Sequence, residues 1–338
     1  MRLAAFAALG IAAALAPAAA RPQDPPAPKL SLPIACEPGR TCFVQNYVDR
    51  DPSPGALDYH CGHRTYDKHD GTDIRLLDMA AQKAGVDVLA AAAGKVVAVR
   101  DGVPDISIRA PGAPPVAGHE CGNRVGLAVG GGWILDYCHL AQGSPKVKVG
   151  DTVAVGQPLG RVGLSGETEF PHLHFSVRHA NAVVDPFAAG PVAPGACAAQ
   201  PALWTDAASR ALAYRRGVVL NTGFSGGAAT PDAVEARRTP AVSAATGLVA
   251  YARLIGLEAG DVVELRVTGP DGRAVAGATN PPLDHDKAWW LVQAGPARPP
   301  AGGWPRGTYT ARVTVRRGDA AALSAQWATV IRPSVAPG

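Results

Sequence analysis

The sequence is poor in charge and, beyond its opening residues, in long apolar runs. Only 18% of its 338 residues are charged, which argues against a self-repelling disordered chain. With 47% hydrophobic residues, it has enough material for two globular domains with their own cores. After residue 20 nothing approaches the roughly 20 consecutive apolar residues of a membrane-spanning helix; the nearest candidate, VLAAAAGKVVAV, is short and interrupted by Lys95. There is no basic stripe and no aromatic stacking motif, so the net charge of +4 is a weak bias toward anionic surfaces and gives no reason to infer nucleic-acid binding. No C-x-x-C pair is present, which removes a structural zinc knuckle. HECGN at 119–123 begins like H-E-x-x-H but has Asn123 where the second ligand would stand, and Gly122 disfavours the helix that motif needs; His119 reads as a loop residue. Internal repeats are also lacking.

The first twenty residues, MRLAAFAALGIAAALAPAAA, combine Arg2, an apolar run and small residues at Ala18 and Ala20. This is the pattern of a cleaved export signal. The six cysteines all follow it, and an even number in an exported chain favours disulfides. Cys36 lies beyond a proline-rich stretch rather than directly after the apolar run, which argues against a lipid anchor there. Destinations consistent with the leader are a periplasm, the favoured one, or the cell exterior.

Residues 21–33, containing RPQDPPAPKLSLP, read as an extended linker. From 34 to 187 short β-type runs alternate with glycine turns, giving one β-rich domain. At its centre Val125, Leu127 and Val129 alternate toward GGG at 130–132, and Trp133, Leu135 and Tyr137 alternate away from it, the pattern of a hairpin. Cys121 and Cys138 fall near its open end, and we expect them to be bridged; the pairing of Cys36, Cys42, Cys61 and Cys197 stays open. LLDMAAQKAGVDVL (76–89) predicts one short helix. Residues 188–203 break all periodicity and mark a linker, and 204–334 supply alternating runs that predict an immunoglobulin-like β-sandwich of unknown role. The RGD at 317–319 sits between two such runs and reads as a hairpin turn rather than an adhesion signal. The fold class is therefore all-β and mostly antiparallel, with a small sheet domain followed by a sandwich.

Three segments carry candidate chemistry. In EFPHLHFSV, residues 169–177, His172 and His174 share one strand face while Leu173, Phe175 and Val177 face the opposite layer. Alone, such an H-x-H is more often a pair of solvated imidazoles than a metal site. In YDKHDGTDI, His69 and Asp73 are four apart on either side of a glycine turn that delivers Asp73 to a strand start, with Asp70 as an adjacent carboxylate read as solvated. In DYCHLAQGS, His139 ends the second strand of the central hairpin and is expected on the same face as Tyr137. His60 and His63 flank Cys61 and read as exposed imidazoles beside a disulfide.

HDGTD, YCHL, VKVGDTVAVGQPLGRVGLSG, PHLHF and VDPF together closely resemble the lysostaphin-type (LytM-type) zinc metallopeptidases that cut peptidoglycan peptides, over about residues 60–187. The resemblance implies a small antiparallel β domain with a groove. It implies one zinc ion per chain held by His69, Asp73 and His174, with His139 and His172 as catalytic residues beside a zinc-bound water. Three protein ligands and one open position are the usual arrangement of catalytic zinc. On this reading the chain is an exported zinc metalloendopeptidase hydrolysing cross-link or stem peptides of peptidoglycan; which bond is cut, and the oligomeric state, are not legible. The competing reading within the family is a non-catalytic activator of wall amidases, and the presence of all five residues argues against it. No recognisable wall-binding repeat accompanies the domain. A lipoyl-type carrier, suggested by VKVGDTVAVGQPLG, lacks a modifiable lysine at a hairpin tip. Two departures from the family pattern are the long 76–89 segment, which is placed to shape a groove rim, and Cys138 at a position often occupied by glycine.

Overall fold

The computed structural model describes residues 26–190 and 200–332. The expected signal segment 1–20, residues 21–25 of the expected linker and Cys197 lie outside the described residues. The chain is mostly antiparallel β.

The first domain is built on strands β1 (Cys42–Asn46), β2 (Thr72–Leu76), β3 (Asp87–Leu89), β4 (Gly94–Arg100) and β5 (Asn123–Ala128). It continues with β6 (Trp133–Leu140), β7 (Thr152–Val153), β8 (Pro158–Arg161), β9 (His172–His179) and β10 (Ala182–Val183). Its main antiparallel sheet has the order β1-β2-β9-β6-β5-β4-β7, with β10 pairing β9, and β3 pairs β8 in a separate ribbon. The β5–β6 hairpin turns through Gly130, Gly131 and Gly132, all at positive φ, where a glycine carries no Cβ penalty. Inward positions Val125, Leu127, Leu135, Tyr137, Leu173, Phe175 and Val177 are fully buried in one core. The 76–89 segment contains the short helix α1 (Met79–Ala84), capped by the Asp78 carboxylate, which accepts from the amides of Ala80 and Ala81, and ended at Gly85.

Leu30, inside the stretch expected to be linker, is fully buried: it bridges in parallel to Trp204 and joins the first domain's core. The alternating apolar residues of KLSLPI allow this, because Leu30, Leu32 and Ile34 all turn toward that core. Leu203, Trp204 and the helix α2 (Asp206–Ala211) pack there too.

The second unit comprises β11 (Val218–Ser225), helix α3 (Pro231–Glu235), β12 (Val249–Leu257), β13 (Val262–Thr268) and β14 (Ala274–Thr279). β15 (Lys287–Ala294), β16 (Gly307–Arg317) and β17 (Ala320–Ile331) complete it. Sheets β11-β12-β15 and β14-β13-β16-β17 enclose a core that includes Ala252, Leu254, Val263, Leu265, Val313 and Val315, an arrangement consistent with the immunoglobulin-like expectation. The RGD tripeptide forms the β16–β17 turn, and Arg317 donates to the Asp261 carboxylate at 2.7 and 2.8 Å, so its guanidinium serves the fold.

The two units share an apolar cluster in which Phe43 and Leu77 meet Val218, Leu220, Ile255 and Trp289. Disulfides join Cys36 to Cys42 and Cys121 to Cys138, the latter as expected, and Cys61 is also disulfide-bonded.

Candidate active site

Strand pairing brings the scattered motifs together. β2 lies beside β9 with Asp73 opposite His174, and β6 lies on the other side of β9 with Cys138 opposite His174. His69 enters from the turn before β2, where Lys68 takes a positive φ. Gly71 is required by close approach: a Cβ there would lie 2.5 Å from His174 Nε2.

His69, Asp73 and His174 present one donor atom each to a common point. His69 Nε2 lies 3.3 Å from His174 Nδ1 and 3.2 Å from Asp73 Oδ1, and His174 Nδ1 lies 2.9 Å from the same oxygen. Ligand bonds of about 2.0–2.1 Å in tetrahedral geometry place donor atoms roughly 3.3 Å apart. Two edges of the triangle match that spacing and the third is shorter, so the three residues could hold a zinc ion. His172 Nε2 is 3.5 Å from Asp73 Oδ1. The His139 ring stands 4.6 Å from that of His172 and 5.9 Å from that of His174.

All four imidazoles have their outward nitrogen tied to oxygen. Nδ1–H of His69 donates to Tyr47 O at 2.6 Å, that of His139 to Ser165 O at 2.8 Å and that of His172 to Phe170 O at 2.9 Å. In His174 the roles reverse, and Nε2–H faces Asp70 Oδ1 at 3.1 Å and Ser176 Oγ at 3.2 Å. In His69, His139 and His172 the other nitrogen is left with its lone pair free, and in His174 Nδ1 presents one toward the common point once it has given up its proton. Such outer partners fix the tautomer and orientation of metal-binding histidines.

Burial opposes ionisation of Asp73, but His69 and His172 outweigh it and hold the carboxyl well below its ordinary range. For His174 burial likewise opposes charge, and the hydrogen bonds to Asp70 and Asp73 overcome it, raising the pKa to about 9. His139 goes the other way: burial, reinforced by His172 and His174, keeps it well below the usual histidine value and thus neutral.

Two sequence expectations need correction. Asp70 is not solvated: it is half-buried, faces His174 Nε2 and is paired with Arg178, because β9 carries the arginine on the same face as His174. His139 does not share a face with Tyr137. The Tyr137 hydroxyl is buried and accepts from Ala91 N at 2.8 Å, whereas His139 has a φ of +59°, which swings it into the cleft. The register slip between Asn123 and Val125 accompanies that turn.

A cleft of about 350 Å³ opens onto these residues, with His139, His174, Asp136, Arg124, Glu167 and Tyr66 on its walls. A larger one, about 580 Å³, lies between β1 and the sandwich; it includes Asn46 but none of the five predicted residues. Sequence reasoning missed Tyr66, Asn46 and Asp70's role. Tyr66 packs its ring 4.4 Å from that of His69, and burial together with Asp73, Asp70 and Glu167 raises its pKa, so its hydroxyl stays a donor. Asn46 donates to Asp73 Oδ2 at 2.9 Å. Neither carries a signal in one sequence. As read, His60, His63 and His119 are exposed.

The chain shares 37% identity over 93 residues with the cell division protein DipM of Caulobacter vibrioides, covering 24% of this chain and 15% of that protein. The match thus spans a small part of the relative's length. Among solved structures, a mutant catalytic domain of the prophage-encoded M23 protein EnpA from Enterococcus faecalis aligns at 21% identity with a TM-score of 0.32, over 49% of this chain and 98% of that one. The catalytic domain of the antimicrobial peptidase lysostaphin from Staphylococcus simulans aligns at 27% identity and TM-score 0.25, over 35% and 76%. Peptidase family M23 matches residues 67–186, the segment that contains all five predicted residues. Over that segment, less than half of the chain, the sequence matches peptidase family M23, the lysostaphin-type family its motifs resemble.

Proposed function

We propose that the protein is an exported zinc metalloendopeptidase that hydrolyses peptide bonds of peptidoglycan. The observation that carries this reading is the convergence of three donor atoms at 2.9–3.3 Å, with the His172 imidazole beside them and that of His139 on the wall of the adjoining cleft. His69, Asp73 and His174 are the ligands. A zinc ion held there supplies Lewis acidity, polarising a scissile carbonyl and lowering the pKa of a water toward about 7.

His139, on the cleft wall, and His172, beside Asp73, have their Nε2 atoms free to act because their Nδ1–H groups are committed to backbone carbonyls. They accept the proton of the attacking water and return it to the departing amine. The Tyr66 hydroxyl, held protonated, donates to the carbonyl oxygen as it gains charge. Export is supported by the leader-like start and by the disulfides. The full set of five residues favours an enzyme over a non-catalytic amidase activator.

The test pairs two variants. Asp73→Ala should lose bound zinc, whereas His139→Ala should retain it and lose hydrolysis of cross-linked wall peptides by at least about 100-fold. Equal zinc loss in both would overturn the roles. A zinc-loaded wild-type protein that released no peptide from walls of either glycine-bridged or directly cross-linked type would overturn the activity.

A further inference from the structure

Arg75 follows Asp73 by two positions on β2, so it faces the same way. Its partner across the ladder is His172. A guanidinium only 2% exposed beside a metal site needs compensation, and it comes from the other domain. Arg75 Nη2 donates at 2.9 Å to Glu235 Oε2, at the end of α3 in the sandwich. The same oxygen takes a hydrogen bond from Arg253 of β12, itself 4% exposed, whose other amino group donates to Leu77 O at 2.7 Å. One carboxylate thus serves two buried cations, one from each domain. Arg75 Nη1 also donates to Gln45 Oε1 at 3.0 Å, which fixes the plane of its guanidinium.

That plane is put to use. It lies 4.1 Å from the centre of the Phe170 ring, a cation–π contact. The Phe170 ring in turn stands 5.0 Å from the His172 imidazole, and Phe170 O is the acceptor of His172 Nδ1–H.

From this contact chain we infer that the sandwich domain sets the geometry of the active site, with Glu235 acting through Arg75 and Phe170 as a positioning residue for His172. The inference rests on the proposed role of His172. Without Glu235, Arg75 loses its directly bonded counter-charge, and its guanidinium is freed to shift from the face of Phe170. Phe170 then loses its cover, and the ring and carbonyl that orient His172 relax. Misplacement of about 1 Å at a reacting group costs up to about 100-fold in rate.

The test uses the zinc-loaded full chain and four proteins: wild type, Glu235→Ala, Phe170→Leu and, as a control, Val313→Ala, which loosens the sandwich core away from the relay. Nitrogen-15 imidazole spectra should show His172 as a single Nδ1–H tautomer in wild type and in Val313→Ala, and in exchange in the other two. With wall peptides, Glu235→Ala and Phe170→Leu should lower kcat about 10- to 100-fold at unchanged zinc content and with KM within about twofold. Their combination should be no worse than Phe170→Leu alone. An unchanged His172 spectrum in Glu235→Ala, or an equal kcat loss in Val313→Ala, would overturn the inference. If Glu235→Ala does not fold, Glu235→Gln, which keeps the shape and removes the counter-charge, decides it by the same two readouts. A wild type that hydrolyses nothing would sink the peptidase reading, while the spectra would still decide the positioning.

Discussion

Gly71 offers a sharp test of how tightly the donor triangle is built. In Gly71→Ala the added methyl would lie 2.5 Å from His174 Nε2, 2.6 Å from its Cε1 and 3.0 Å from Phe175 O. An ordinary carbon contact is 3.5–4.0 Å, so relief takes about 1 Å of movement. The backbone oxygen is held in the β2–β9 ladder, and the ring is the part able to move. Metal–ligand distances tolerate about 0.2 Å. A ring pushed back by about 1 Å therefore loses its place in the triangle and also its bond to Asp70. Loss of an outer partner alone typically weakens metal binding 10- to 100-fold. Losing the ligand position as well should cost at least about 100-fold. The assay is zinc affinity by competition with a chromophoric chelator, with circular dichroism as a check on folding. A folded Gly71→Ala protein that binds zinc within threefold of wild type would show that His174 has freedom the packing denies, and the geometric reasoning would fall.

Other expectations follow from the same contacts. Asp70→Ala removes the partner of His174 Nε2 and should weaken zinc binding about 10- to 100-fold while leaving the fold intact, measured in the same competition assay. The pH dependence of zinc affinity has a definite sign: His174 holds a proton below about 9, and that proton must leave for Nδ1 to bind. Affinity should therefore rise with pH up to about 9, and calorimetry at pH 7.5 in buffers of different ionisation enthalpy should detect proton release close to one per zinc from this residue. Replacing both Cys121 and Cys138 by serine removes a bridge across a 17-residue separation, worth about 3 kcal/mol. It should lower Tm by roughly 6–12 °C. It should also slow hydrolysis, because His139 N donates to Cys121 O at 2.9 Å, and the peptide-release assay would show this.

Much of this arrangement was legible because it is local. The central hairpin was readable from period-2 alternation on either side of three glycines, and the two-residue spacing of His172 and His174 places them on one face wherever the strand lies. The order of the strands was not readable in that way. Asp73 meets His174 across 101 residues through the β2–β9 pairing, and only resemblance to a family pointed there. The face of His139 was misread because alternation assumes extended backbone throughout, whereas a left-handed residue ends β6. Asp70 was misread because a carboxylate beside a turn looks solvated until the arginine of another strand comes into view. Glu235 lies 160 residues from Arg75, and no pattern in either segment announces the pair.

The burial of the site itself argues for a cation as its organising element. His69, Asp73, His139, His172 and His174 are all nearly inaccessible, although each carries a polar side chain. Desolvating that many polar groups is costly unless each finds a partner. The outward nitrogens find theirs in Tyr47 O, Ser165 O, Phe170 O and Asp70. The inward atoms of the ligand triad are three electron-pair donors pointed at one another, an arrangement that electrostatic repulsion would open. Two agents can hold them together: a proton on His174, whose hydrogen bonds to Asp70 and then Asp73 raise its pKa to about 9, or a metal ion, which satisfies all three at once. A site built to shelter a proton would not need a third donor, nor two more imidazoles beside it. The donor count and the direction of the rings therefore suit a metal ion better than a proton-sheltering histidine cluster.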